Sequence, residues 1–404
     1  MTNPIEAPIN SNEKLRVLRV SHSSLTPMLR ERERALARSY ADVDLHVVTA
    51  GEWHEAGVDV RATGDDLFPV SVARTLLSKH VQLFAWHPFT IITALRKHRP
   101  HLIDLNHEPF SLACAQVLTL CDWFAPQATI VLQTAQNIYR TYPPPFGWLQ
   151  KRAFRRVDAA YACSATTRAV MRAKNFDKPM AIIPFGVDTE LFRPQLVKKT
   201  DPDQKLTIGY VGRMLPGKGL NILATAVSRL ASTNWKLLVV GDGPERTPFE
   251  QQLRDLRLTD RVEFIGAVNY DEVPAIFQKI DLLVMPTQTT SRIREQFGRV
   301  LVEAMASGVP VIGSTSGAIP EVIGAAGLVV PEGDGVALAE ALDRLLSDPA
   351  LRRKLAGAGR ERVELNYSWR RVSEKTYEFY RRILRMRSEP GVSQYLASLR
   401  NADY

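Results

Sequence analysis

The sequence predicts an α/β protein made of two Rossmann-like domains, each a parallel sheet with helices on its faces. Three observations carry that expectation. Short apolar runs alternate with amphipathic stretches almost from end to end, the pattern of parallel strands joined by crossover helices. The alternation stops once, around 188–203, and then begins again as a second series. A chain of 404 residues with 45% hydrophobic content also exceeds what a single core usually organises.

In the first series, 15–20, 44–49, 101–105, 128–133, 159–163 and 180–184 read as strands, and 28–40, 89–97, 111–121, 146–156 and 165–174 as helices. Asp188-Thr189-Glu190-Leu191-Phe192-Arg193-Pro194, followed by Lys198-Lys199-Thr200-Asp201-Pro202-Asp203, reads as a linker, which sets domains at 1–195 and 196–368. The second series has strands at 206–211, 236–240, 261–265, 281–285, 309–312 and 327–330. Its helices are 219–230, 249–256, 273–279, 298–306, 319–323, 336–346 and 350–365. The last helix, 369–387, has no strand after it, so the segment 369–404 is expected to pack back on the first domain. Open parallel sheets bind ligands beyond the carboxyl ends of their strands, and a cleft between the two facing domains is the expected active site.

The net charge is +9, and its excess is shared by both halves: 23 basic against 18 acidic residues in 1–195, and 29 against 25 in 196–404. Basic clusters such as Arg30, Arg32 and Arg34, or Lys151, Arg152, Arg155 and Arg156, read mostly as solvated helix faces. Their functional reading is an anionic membrane leaflet or a phosphorylated substrate. No aromatic-interleaved or zinc-finger pattern accompanies them, which disfavours nucleic acid. Cys114, Cys121 and Cys163 have no metal or disulfide spacing and read as reduced core thiols. No apolar run approaches the roughly 20 residues that span a bilayer, and the first ten residues lack an export signal. A cytoplasmic protein, peripheral on the membrane face, is expected.

Two stretches carry the chemistry. In 294–310, Glu295 precedes Gly298, an apolar helical pattern follows with Glu303 inside it, and Ser307-Gly308 closes the helix. A helix N-terminus favours an anion, while carboxylates accept hydrogen bonds from hydroxyls, so a phosphorylated polyol suits the pair. Alone, each glutamate reads as a solvated helix-end charge. In the second stretch, Gly212 and Gly217-Lys218 match most of a nucleotide P-loop, but Gly219 stands where Ser or Thr would hold magnesium. The alternative keeps Arg213 and Lys218 as two cations for a diphosphate. Gly241-Asp242-Gly243-Pro244 reads as a tight turn. His107-Glu108-Pro109 and Ser21-His22-Ser23-Ser24 end strands at the side where catalytic groups belong. The pairs Asp42 and Asp44, and Asp201 and Asp203, are not read as metal sites.

Together these residues resemble the retaining glycosyltransferases of family 4, which have the GT-B fold. The resemblance covers 209–369 and rests on Gly-Arg-x-x-x-x-Lys at 212–218, Gly241-Asp242-Gly243-Pro244, Phe264-Ile265-Gly266 and the glutamate pair. Gly317-Ala318-Ile319-Pro320-Glu321 follows in the family's order. It implies that Arg213 and Lys218 hold the donor diphosphate and that Glu303 accepts from ribose hydroxyls. It implies that Glu295 binds the transferred sugar, with the amides around Gly298 and Arg299 near sugar and phosphate, and that His107 lies near sugar and acceptor. No metal or other cofactor is expected beyond the nucleotide-sugar co-substrate. The implied activity is a retaining hexosyltransferase acting on a glycan or lipid-linked acceptor in cell-surface polysaccharide or glycolipid assembly. A GT-B sugar-nucleotide epimerase and a non-catalytic membrane-surface protein are the competing readings. The chain departs from the family in Gln296, where glycine is common, and in its first strand-to-helix loop, 21–27, which has no glycine.

Overall fold

The computed structural model describes residues 13–55, 58–78, 80–195 and 205–388. The first ten residues, the linker stretch 198–203 with Asp201 and Asp203, and 389–404 lie outside the described residues. The chain forms two compact units, one of residues up to Cys163, Thr167–Ile183 and Val372 onward, the other of Ser164–Thr166 and Pro184–Arg371.

The first unit runs β1 (Leu15–Ser21), α1 (Glu31–Ser39), β2 (Val43–Ala50), β3 (Glu52–Glu55), β4 (Val58–Arg61), β5 (Val70–Ala73), β6 (Thr75–Leu76) and β7 (Ala85–Trp86). It continues with α2 (Pro88–His98), β8 (Leu102–Asn106), α3 (Leu112–Phe124), β9 (Thr129–Thr134), α4 (Phe146–Arg156), β10 (Ala159–Ala162), α5 (Ala165–Ala173) and β11 (Met180–Ile182). Seven strands pair in the order β11-β10-β9-β8-β1-β2-β5, all parallel.

Side-chain alternation along these strands sorts two layers. Leu18, Val20, Ile103, Leu105, Ile130, Leu132 and Ala160 form one core with α2, α3 and α4. The residues between them carry polar groups into the other layer. There Arg19 and Arg32 pair with Asp104 at 2.7 and 2.8 Å, and Tyr161 donates to the same carboxylate. This network is buried and balanced in charge, because Glu33 sits 3.0 Å from Arg19.

The strands β3 to β7 fall in 51–87, a stretch not predicted to hold strands. They are two to four residues long, too short to register a period of two against the glycines, the proline and the histidines around them.

The second unit runs β12 (Leu206–Val211), α6 (Leu220–Ser228), β13 (Trp235–Val240), α7 (Arg246–Asp255), β14 (Val262–Gly266), α8 (Val273–Gln278), β15 (Leu282–Met285) and α9 (Arg299–Ala306). Then come β16 (Val311–Ser314), α10 (Ile319–Ile323), β17 (Leu328–Val330), α11 (Gly335–Ser347), α12 (Pro349–Asn366) and α13 (Trp369–Ser388). Its six parallel strands order as β14-β13-β12-β15-β16-β17. This unit begins at Pro184, earlier than the linker reading. Phe192 is fully buried against Tyr270 and Phe277, and the Val187 amide donates to the Tyr367 carbonyl. From Val372 onward α13 groups with the first unit, where the Tyr380 hydroxyl donates to Asp104 and that of Tyr377 to Asp42.

Candidate active site

The second unit's candidate site lies where β12 and β15 give way to loops at their carboxyl ends. A pocket of about 430 Å³ opens there, lined among others by Arg213, Glu295, Gly298, Arg299 and Glu303. Four features build it.

The 212–218 loop is held from both sides. The Gly212 amide donates to the Val240 carbonyl at 2.9 Å, and that of Met214 to the Asp242 carbonyl at 2.8 Å. Gly241-Asp242-Gly243 therefore buttresses the loop that carries Arg213. At the loop's end Gly219 adopts φ +76, and a Cβ there would lie 1.9 Å from the Pro286 carbonyl oxygen. A Ser or Thr has no room, which removes the P-loop reading on steric grounds.

Lys218 lies beside Glu295, with Nζ donating to Oε2 at 2.7 Å. The backbone of Glu295 is fixed in turn, since its carbonyl accepts from the Ala318 amide at 3.0 Å. Gly317 makes that approach possible, with φ +58 and an ideal Cβ only 2.0 Å from the Glu295 carbonyl oxygen. The sequence reading quoted Gly317 only as a family motif; its mechanical link to Glu295 spans 22 positions and leaves no local signal.

Glu303 opens the second turn of α9 and is only 7% exposed. Burial raises its pKa, opposed by the Arg299 guanidinium one turn back at 3.6 Å and by a hydrogen bond from the Tyr270 phenol. Arg299 also lies over the Tyr270 ring, 5.4 Å from its centroid. Tyr270 was missed in the sequence. A capping box sets its place: the Asn269 amide donates to the Glu272 carboxylate at 2.8 Å, which fixes the turn Tyr270–Glu272.

At the start of α9 the backbone presents the positive end of the helix dipole, and the Leu301 amide of its first turn donates to the Gly298 carbonyl at 2.9 Å. The site thus combines three cationic groups, two carboxylates and a helix N-terminus around one pocket. It can neutralise an anion and accept hydrogen bonds from hydroxyls.

His107 belongs to the first unit, at the carboxyl end of β8, and is 2% exposed. Its Nε2 accepts from the Trp86 indole at 3.1 Å, so the ring proton is assigned to Nδ1, which faces His22 Nδ1 at 3.4 Å. Burial, then the neighbouring His22 and Arg19, drives its pKa well below the usual value. Trp53 and Phe84 pack against the His22 ring. The loop after β1, which lacks glycine, thus contributes a histidine held in an aromatic box. Cys114, Cys121 and Cys163 are all buried, and burial raises the pKa of Cys114 and Cys121.

Comparison with known proteins matches both halves of the chain. Residues 28–191 match the family described as Glycosyltransferase Family 4, and 192–362 match Glycosyl transferases group 1. A GDP-mannose-dependent alpha-(1-6)-phosphatidylinositol monomannoside mannosyltransferase of Mycobacterium tuberculosis is 34% identical over 211 residues, which cover 49% of this chain and 55% of that protein. The chain thus spans about half the length of that relative. A Corynebacterium glutamicum GDP-mannose-dependent mannosyltransferase acting on the monoacylated form is 30% identical over 286 residues, covering 63% and 74%. In fold, HepE of Anabaena, solved in complex with UDP, superimposes with a TM-score of 0.67 at 18% identity, covering 90% of this chain and 99% of that one. By these matches in sequence and fold, the chain belongs to glycosyltransferase family 4 and has the GT-B fold.

Proposed function

We propose that this protein is a retaining glycosyltransferase that moves a hexosyl group from a nucleotide-sugar to a hydroxyl of a glycan or lipid-linked acceptor. The observation that carries the reading is the pocket of about 430 Å³ in which Arg213, the start of α9, Glu295 and Glu303 converge. Family membership and the named activities of the two mannosyltransferases support it, and they make GDP-mannose the first donor to test.

Breaking a sugar–phosphate bond puts positive charge on the anomeric carbon and negative charge on the leaving diphosphate. Arg213, Lys218 and the α9 amides are suited to stabilise that leaving charge where it develops. Glu303 accepts from the ribose hydroxyls and Glu295 from the transferred sugar. Lys218 then exchanges one anionic partner, Glu295, for a phosphate oxygen. Retention needs no protein nucleophile if the leaving phosphate takes the acceptor proton. His107 fits an orienting role in this scheme, because both its ring nitrogens are engaged and it stays neutral. No bound metal is required, so activity should survive EDTA.

The test is a thermal-shift screen against GDP-, UDP- and ADP-sugars, followed by transfer from the best binder and NMR assignment of the product anomer. A stabilising donor with retained configuration supports the reading. Inversion, or release of an isomerised nucleotide-sugar without an acceptor, would replace it.

A further inference from the structure

One stretch of the first half carries a large local excess of positive charge. Residues 67–157 hold ten Lys and Arg against three acids, Asp104, Glu108 and Asp122, a net of +7 within a chain of +9. The corresponding counts for whole halves of the chain dilute this, because the rest of 1–195 is net acidic. Two of the three acids are withdrawn from the surface. Asp104 is buried in the Arg19–Arg32 network, and Glu108 is only part-exposed, accepting from the Thr134 hydroxyl at 3.2 Å. The third, Asp122, is paired with Arg152 and Arg156.

The same residues carry the exposed aromatics. Among the described residues, the exposed Phe, Tyr and Trp side chains are Phe89 (70%), Trp123 (73%), Tyr139 (55%) and Trp148 (66%), all within 67–157. Six of the ten cations, Arg96, Lys97, Lys151, Arg152, Arg155 and Arg156, and three of the four exposed rings, Phe89, Trp123 and Trp148, lie on the helices of one layer. Helices α2, α3 and α4 cover the same sheet face, and α3 is packed against both neighbours: Arg96 of α2 lies over the Phe124 ring, and Arg152 of α4 donates to Thr119 at 2.9 Å. On α2 the exposed stripe is Phe89, Thr93, Arg96 and Lys97; on α4 it is Trp148, Lys151 and Arg155. Both stripes follow helical spacing, with an aromatic residue in the first turn and cations in the turns after it. The apolar faces of the same helices are already consumed by the core, so the exposed aromatics are not core residues left over.

We propose that this α2–α3–α4 layer is the surface by which the protein docks on an anionic lipid bilayer. Aromatic rings with one polar edge settle at the headgroup boundary, and Lys and Arg are attracted to anionic headgroups. No helix among the described residues is long and apolar enough to cross a membrane, so the contact is peripheral. The proposal stands apart from the transferase reading, because vesicle binding needs neither donor nor acceptor.

The experiment is co-sedimentation of the full chain with vesicles of phosphatidylcholine alone or mixed with phosphatidylglycerol, in 0.1 M and 1 M salt, where the screening length falls from about 10 to about 3 Å. Binding is expected only with phosphatidylglycerol and only at low salt. The variant Lys97→Glu/Lys151→Glu/Arg155→Glu should lose binding by at least roughly fivefold for each cation removed. Brominated lipid should quench the wild-type tryptophan fluorescence more than that of Trp123→Phe/Trp148→Phe. Should the reversal variant melt early, Lys151→Gln/Arg155→Gln takes its place. Equal binding to neutral vesicles, undiminished binding by the charge variants, or displacement of vesicles by a duplex oligonucleotide held by the same residues would each overturn the proposal, the last in favour of a nucleic acid.

Discussion

The Lys218 ammonium lies 2.7 Å from the Glu295 carboxylate, so the two residues assigned to opposite ends of a sugar–phosphate bond neutralise each other when the pocket holds no donor. Both are part-buried, and neither can be changed without releasing the other. This coupling separates two effects that a single alanine would confuse. Lys218→Met removes a phosphate contact, worth roughly 1.5–3 kcal/mol for a charge-assisted bond, and should weaken nucleoside diphosphate binding about 10- to 100-fold. Glu295→Gln frees Lys218, so free nucleoside diphosphate should bind as well as before or better, while turnover of the nucleotide-sugar falls. Calorimetry with the diphosphate and initial rates with the sugar donor make the comparison. If Glu295→Gln lowers diphosphate affinity as Lys218→Met does, the division of roles is wrong.

Gly317→Ala tests whether Glu295 depends on its backbone. The new Cβ would fall 2.0 Å from the Glu295 carbonyl oxygen and demand an unfavourable φ of +58. The loop before α9 must shift, whereas Arg213 and Glu303 stand on other segments. Loss of sugar transfer with diphosphate affinity kept within about threefold is the expected result. A variant with wild-type kcat/KM would show that Glu295 has no need of this anchor.

Glu303 predicts a pH dependence of opposite sign to that of most carboxylates. Burial raises its pKa above the ordinary 4.5, so the folded state holds its proton more tightly than the unfolded chain does. The stability from the neutral carboxyl is complete below about 4.5 and is lost as pH rises through the folded value. At neutral pH the buried charge is a cost, tolerated because the ionised group is the better acceptor for hydroxyls. Glu303→Gln should therefore raise the melting midpoint at pH 7 to 8 by a few degrees, at about 2–4 °C per kcal/mol, with a gain that shrinks on acidification. The same variant should bind nucleotide more weakly. A midpoint that drops at pH 8 would mean that the Arg299 and Tyr270 contacts outweigh the burial.

The two-domain α/β architecture was legible because parallel strands buried on both faces leave uninterrupted apolar runs such as 237–240 and 282–285, and crossover helices separate them. Arg213, Lys218, Glu295 and Glu303 were visible because each stands in a local stretch with its own glycine punctuation. Tyr270 and Gly317 act on Glu303 and Glu295 across 33 and 22 positions, distances at which a single sequence carries no pairing signal. The edge strand Val70–Ala73 was hidden by its four-residue length. The position of His107 at a strand's end was readable, but its burial was not. Trp53, Phe84 and Trp86, which enclose the histidines, come from the stretch whose short strands have no period to read.

That enclosure makes the histidine pair itself a measurable quantity. Burial lowers the pKa of His22 to about 4 and that of His107 well below 6.5, while both titrate near 6.5 in the unfolded chain. The sign follows directly. Above 6.5 both states are neutral and the pair costs nothing; as pH falls from 6.5 toward about 4, the unfolded chain takes up protons that the folded unit refuses, and stability is lost. Each group contributes a slope of about 1.4 kcal/mol per pH unit across that window. The melting midpoint of the first unit should therefore fall between pH 6.5 and 4.5, and His22→Gln should flatten the descent. In NMR spectra of histidine-labelled protein, the resonances absent from His22→Gln and His107→Gln should stay at their neutral positions down to pH 5. A resonance missing from His107→Gln that titrates near 6.5 in the wild type would refute the neutral assignment. It would also restore His107 as a candidate for proton transfer, because a ring that takes up a proton at that pH cannot have both nitrogens committed to Trp86 and His22.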